Sequence, residues 1–154
     1  RRIDEACRRF GIEALRQSEP HWLSGGQKQR AVLAGVLALQ PKVLVLDEPT
    51  SMLDPRSQRE FLQLVESLWH EGTSVVYITQ IMEEVASAGR VVALAGGEIA
   101  FDGTPAELFS NQQLLEDIGL EPPLPVRLAA GLSARGYQTS TAVTLSELVR
   151  SIFA

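Results

Sequence analysis

Two short stretches of this chain hold residues that could do chemistry together. The first is Asp47-Glu48, adjacent carboxylates that close the apolar run Val43-Leu44-Val45-Leu46. An apolar run ending in acids reads as a parallel-sheet strand whose C-terminal end faces a ligand, the place where open α/β sheets bind. Paired acids there suit a hard cation: one carboxylate holds Mg²⁺, directly or through water, and the other orients an attacking water. The plainer alternative is that both acids cap the turn that follows. The second stretch is Ser24-Gly25-Gly26-Gln27, leading into a helical pattern. Two glycines at a helix start expose backbone N–H groups beside positive helix-end charge, a cradle for a phosphate oxygen. Here the alternative is a flexible loop with an ordinary N-cap.

The elements that must position these residues are readable from periodicity and punctuation. Ile3, Ala6, Cys7 and Phe10 form a helical stripe that Gly11 ends, and Cys7 on that stripe is a small core residue. SEPHWLSGGQ breaks regular structure, and a second helix is expected from Gln27 to Leu39, ended by Gln40 and Pro41. Val43 to Leu46 is expected as a strand buried on both faces. Asp54 and Pro55 open a helix whose buried face is Phe61, Leu62, Val65, Leu68 and Trp69, with Gly72 at its end. Ser74 to Thr79 reads as a second buried strand, residues 82–88 as a short helix, and RVVALA as a third strand. Gly96-Gly97 then signals a hairpin into EIAFDG. The rhythm is that of an α/β domain, mostly parallel sheet with flanking helices and a small antiparallel edge. Thr104 to Glu107 has capping-box spacing, EPPLP at 121–125 looks like a hinge, and two short helices are expected at 126–135 and 145–153.

Composition narrows the class. The 154 residues suit one domain of ordinary size, and 45% hydrophobic residues exclude wholesale disorder. One cysteine excludes a disulfide framework and a multi-cysteine metal site. A formal net charge of −5 argues against a nucleic-acid partner. No apolar run approaches the roughly 20 residues that span a bilayer. RRIDEACRRFG lacks the apolar stretch of a secretory signal, so a cytoplasmic site is the default.

Taken in order, LSGGQ, a helix, and VLVLDEPTSMLD resemble the ATP-binding-cassette (ABC) ATPases. In that resemblance LSGGQ is the signature motif, VLVLD is Walker B, Glu48 matches the catalytic glutamate, and Ser51 to Asp54 match the D-loop. With ITQIMEEV, GRVVALAGGEIAFDGTP and ELF, the likeness narrows to the ATPase subunits of energy-coupling-factor (ECF) importers, the cobalt, nickel and vitamin transporters. It runs from about Arg16 onward, and the tail IGLEPPLPVRLAAGLSARGY is similar to that subfamily's C-terminal extension. The resemblance implies a partial P-loop NTPase fold, with residues 1–110 in the ATPase domain and 111–154 in a helical extension. It implies ATP and Mg²⁺ as cofactors, a second ATPase subunit and an integral membrane component as partners, and a peripheral place on the cytoplasmic membrane face. Ser24, Gly25, Gly26 and Gln27 would contact the γ-phosphate of ATP held by the partner. Asp47 would steady Mg²⁺, Glu48 would polarise the attacking water, and Asp54 would link the two sites.

Two features depart from the family pattern. No G-x-x-x-x-G-K-[ST] phosphate loop exists here, and the only lysines, Lys28 and Lys42, lie outside glycine-rich loops. The expectation is a fragment of a longer gene product, inactive alone. The family's switch histidine is replaced by Gln80, which can donate a hydrogen bond but cannot carry charge near neutral pH. Weakened or asymmetric hydrolysis at that site is expected, with binding retained; the alternatives are a degenerate, non-catalytic ABC subunit that contributes only a signature half-site, and a non-transport ABC ATPase. His21, His70 and the paired arginines near the start read as surface residues, Met82-Glu83-Glu84 as an exposed helix turn, and Trp22 as packing the signature loop.

Overall fold

The structure, a computed structural model, describes residues 1–137 and 143–153. It divides into two units, Arg1–Thr79 and Gln80–Ala154.

The first unit builds one core from three helices and a parallel strand pair. Helix α1 (Arg2–Arg9) carries Asp4 and Glu5 in its first turn and Arg8 and Arg9 in its last, matching the helix dipole at both ends. It buries Ala6 and Cys7, and Phe10 follows at 2% exposure, while Ile3 at the start of the expected stripe stays exposed. Gly11 at φ +62 turns the chain where other residues would be strained. Helix α2 (Gly25–Leu37) buries Leu33 and Ala34 against this core. Strand β1 (Val43–Asp47) pairs in parallel with β2 (Ser74–Ile78), in a register that runs from Val43↔Ser74 to Asp47↔Ile78. Helix α3 (Pro55–His70) connects them and buries Phe61, Val65 and Leu68.

Two expectations fail in this unit. Neither strand is buried on both faces: Leu44 enters the core at 3% exposure, but Val43, Val45, Val76 and Ile78 are exposed. The strand period of two sends alternate residues to opposite faces, and helices of this unit cover only one. Trp69 is also exposed, because it lies one residue past Leu68 and the helix has turned away from the core; it stacks on His70 instead.

In the second unit α4 is a single turn (Met82–Val85), shorter than the expected helix. Strands β3 (Val91–Ala95) and β4 (Glu98–Gly103) form the antiparallel hairpin, closed by Gly96 and Gly97, both at positive φ. Arg90 and Asp102 pair at 2.7 and 2.6 Å across its open end. The hairpin forms a two-stranded sheet of its own. Helix α5 (Pro105–Ser110) has the expected capping box between Thr104 and Glu107. Helix α6 (Gln112–Ile118), capped by Asn111 and ended by Gly119 at φ +71, was not anticipated, since its apolar stripe is too short to register. The 121–125 segment is no loose hinge: Pro123 and Pro125 are buried, and α7 (Leu124–Ser133) starts within it. Helix α8 (Leu145–Phe153) begins as expected, with Glu147 N–H donating to Thr144 Oγ1 at 3.3 Å. Residues on both sides of position 110 share one core, in which Met82, Leu108, Phe109 and Leu115 pack with Leu120 and Val126.

Among the described residues, no helix is long and apolar enough to cross a membrane. Truncating Phe61 to alanine is expected to cost about 3–5 kcal/mol by cavity formation. Trp69→Ala is expected to cost under about 1 kcal/mol, as surface changes do. Urea denaturation of the two variants checks the contrast; equal losses would place Trp69 in the core.

Candidate functional site

The glycine stretch starts α2 as a true N-terminus. Ser24 is the N-cap: its Oγ accepts from Gln27 N–H at 3.3 Å, and Gln27 Oε1 accepts from Ser24 N–H at 2.9 Å. This reciprocal box uses Ser24 and Gln27 as acceptors, so the Ser24 O–H and the Gln27 amide N–H groups are the side-chain donors that remain. Lys28 N–H donates to Ser24 O at 2.9 Å. The first turn's outward donors are therefore the N–H groups of Gly25 and Gly26. The local signal is an ordinary S-x-x-Q capping box, so the loop is ordered by its own cap.

The carboxylates sit where the strand ends. Asp47 is the last residue of β1 and Glu48 the first beyond it, and both are exposed. Glu48 N–H still donates to Ile78 O at 2.9 Å, continuing the parallel ladder one step. Its φ is +42, a left-handed conformation that costs a non-glycine residue about 1–2 kcal/mol. The turn that follows is closed by main-chain and hydroxyl groups: Ser51 Oγ donates to Glu48 O at 2.9 Å, and Ser51 N–H reaches the same oxygen at 3.3 Å. Below it Thr50 is 1% exposed, with its hydroxyl 3.3 Å from Tyr77 OH and its carbonyl accepting from Gln58 Nε2 at 3.2 Å.

Asp54 ends this turn and caps α3. Its Oδ1 accepts from Arg56 N–H at 3.0 Å and Ser57 N–H at 3.1 Å, and its Oδ2 accepts from Ser57 Oγ at 2.7 Å. The Ser57 hydroxyl, then the Ser57 N–H, holds the Asp54 carboxyl below its usual range.

The two helix starts are neighbours. A Cβ on Gly25 would lie 3.2 Å from the Met52 carbonyl oxygen, and one on Gly26 would lie 3.0 Å from Ser57 Oγ. Farther along, Arg30 on α2 and Arg56 on α3 both pair with Glu60. Ser24–Gln27 and Ser51–Asp54 thus form one contiguous patch of unit one. Gln80 is exposed, two residues beyond β2, and belongs to the other unit, where it lines an open depression with Met82, Glu83, Glu121 and Arg127.

No group of three or more His, Cys, Asp or Glu side chains converges on a metal position among the described residues. Asp47 and Glu48 therefore fit a Mg²⁺ only if oxygens from a bound phosphate and water complete its shell, which is how Mg²⁺ is ordinarily held. Sequence reasoning missed Thr50, Tyr77, Ser57, Gln58, Arg30 and Glu60. Of these, only Ser57 carried a signal, three residues after the capping Asp54. Two local readings are corrected. Trp22 is 78% exposed, in a short 3₁₀ turn (Pro20–Trp22) that stacks it on His21 rather than on the loop. Met82 and Glu84 are buried, because this turn belongs to the second unit's core.

Comparison with known proteins gives the setting. Residues 1–51 match the family model described as ABC transporter. The chain is 42% identical over 146 residues to the energy-coupling factor transporter ATP-binding protein EcfA1 of Halalkalibacterium halodurans, covering 95% of this chain and 52% of that one. It is 46% identical over 137 residues to the same-named protein of Latilactobacillus sakei, covering 88% and 49%. The chain spans about half the length of the curated relatives it matches. Among solved structures, CbiO1 of Clostridium perfringens, part of the ABC transporter complex CbiONQ, superposes with TM-score 0.67 at 35% identity, covering 86% of this chain and 52% of that one. A bacterial ABC transporter cassette solved as a dimer gives 0.61 at 29% identity, covering 68% and 46%.

The Asp54 cap generates a pH test. A carboxyl whose pKa is lowered by folding adds stability above its unfolded value, near 3.8, and loses it as pH falls through the lowered folded value. Asp54→Ala should therefore melt lower than the parent at neutral pH, with the gap narrowing below pH 3.8. Asp54→Asn, still a good cap, should keep most of the neutral-pH stability without that acid dependence. Melting curves across pH check both, and a pH-independent gap would count against the assignment.

Proposed function

We propose, from the premise that this chain is part of an ABC transporter ATPase domain, that the intact protein is the ATP-binding subunit of an ECF-class importer. It couples ATP hydrolysis to uptake of a metal ion or vitamin through an integral membrane partner, and it works from the cytoplasmic membrane face paired with a second ATPase subunit. The observation that supports this best is the single patch formed by the Ser24–Gln27 cradle and the Ser51–Asp54 loop, directly after the paired acids. In this reading the Gly25 and Gly26 N–H groups, the Ser24 hydroxyl and the Gln27 amide receive the γ-phosphate of a nucleotide held by the partner subunit. Glu48 accepts a hydrogen bond from the attacking water and aims it. Asp47 would hold Mg²⁺, whose charge offsets that developing on the phosphate oxygens. Asp54 links the two composite sites, and Gln80 donates a hydrogen bond to the γ-phosphate.

The bare face of the parallel pair fits the same reading. Parallel strands are ordinarily covered on both sides. A β-branched face made of Val43, Val45, Val76 and Ile78 suits further polypeptide, and the relatives are about twice as long. A second reading rests on Gln80: a degenerate subunit that contributes only its cradle to a competent partner.

Turnover by the intact protein, assembled with its partners, separates these. Glu48→Gln is expected to lower kcat at least about 100-fold while nucleotide binding persists, and Gln80→His is expected to raise kcat. A cradle-only subunit would leave turnover unaltered in both variants.

A further inference from the structure

We propose that Ser57 is the wall that requires glycine at 26: it stands so close to the Gly26 turn of α2, at the Asp54-capped start of α3, that any side chain at 26 would displace the phosphate cradle. The proposal rests on the functional reading above, in which the Gly25 and Gly26 N–H groups meet a phosphate.

Glycine at 26 has two separable explanations. One is outward: a bare backbone lets a phosphate oxygen approach. The other is inward and lies within this chain. A Cβ at 26 would stand 3.0 Å from Ser57 Oγ and 3.3 Å from Ser57 Cβ, closer than side chains normally approach. Ser57 cannot swing away cheaply, because its Oγ donates to Asp54 Oδ2 at 2.7 Å while its N–H donates to Oδ1 at 3.1 Å. Moving the hydroxyl would break one of the bonds that cap α3. Retreat of the whole helix is opposed too, since Glu60, one turn on, pairs with Arg30 of α2 and Arg56 of α3 together. Gly25 meets the same wall through the Met52 carbonyl, a backbone atom with no rotamer to change. A side chain at 26 would therefore push the start of α2 away from Ser57, moving two N–H donors. Positional errors of about 1 Å can cost phosphoryl transfer on the order of 100-fold.

The two explanations predict opposite behaviour in a mutant cycle on the intact protein. If the inward contact governs, Gly26→Ala lowers the melting temperature despite alanine's better helix propensity. It also lowers kcat at least about tenfold, as a misplaced cradle would. Adding Ser57→Gly to it then restores most of both losses, although Ser57→Gly alone is mildly destabilising. Ser57→Ala restores less, because the Cβ contact remains. If the outward explanation alone holds, Gly26→Ala melts no lower than the parent, and Ser57→Gly rescues nothing; that result overturns the proposal. The melting cycle needs no turnover. An intact protein without ATPase activity would sink the functional reading, while the inward contact would still be judged by whether the two substitutions are additive in melting temperature.

Discussion

The site depends on the close approach of two helix starts: a Cβ added at Gly26 of α2 would stand 3.0 Å from Ser57 Oγ of α3, whose start Asp54 caps. Helix N-termini carry unsatisfied N–H groups and partial positive charge, and two of them side by side repel unless something negative or polar is shared between them. Asp54 supplies negative charge at one, with two main-chain N–H groups and the Ser57 hydroxyl satisfied by one carboxylate. Ser24 and Gln27 satisfy the other with neutral groups. The imbalance leaves α2 as the start whose Gly25 and Gly26 donors have no charge of their own. In the proposed function that difference, more than the glycines themselves, suits α2 to receive an anion.

The parallel pair holds the paired acids at one edge of this arrangement. Because β1 and β2 run in register from Val43↔Ser74 to Asp47↔Ile78, the end of β1 is supported by the end of β2, and Glu48 borrows one more ladder bond from Ile78. Thr50 then buries its hydroxyl beside Tyr77 of β2, and Gln58 of α3 holds its carbonyl. Strand end, acid turn and capped helix are thereby tied by polar contacts that bury a threonine almost completely. Such a loop is ordered without a ligand, and order before binding lowers the entropic cost of positioning.

Much of this was legible in the sequence because the informative signals are local. Capping spacings at Asp54, Thr104 and Thr144 each placed a helix start, since a cap is a hydrogen bond within three residues, whereas the Ser24 cap starts α2 at Gly25, two residues before the expected Gln27. The Gly96-Gly97 hairpin was legible for the same reason. What periodicity could not supply was which apolar face has a neighbour. Val45 and Leu44 are equally hydrophobic, yet one is 62% exposed and the other 3%. Trp69 and Met82 were misassigned in opposite directions on the same ground. Partners that meet only through the fold, such as Tyr77 with Thr50 or Arg30 with Glu60, leave no trace in spacing.

Glu48 shows how a local rule that fails can be informative. Its backbone must keep the Ile78 ladder bond on one side and turn its carbonyl to Ser51 on the other, and φ +42 is the conformation that does both. Glycine would adopt it without the cost of about 1–2 kcal/mol that a Cβ imposes. Asparagine or aspartate would tolerate it better than glutamate. The glutamate is exposed, beside the exposed Asp47 that ends β1. Locally unfavourable residue types persist where something other than local propensity selects them, and in the proposed function that is the Glu48 carboxylate orienting a water.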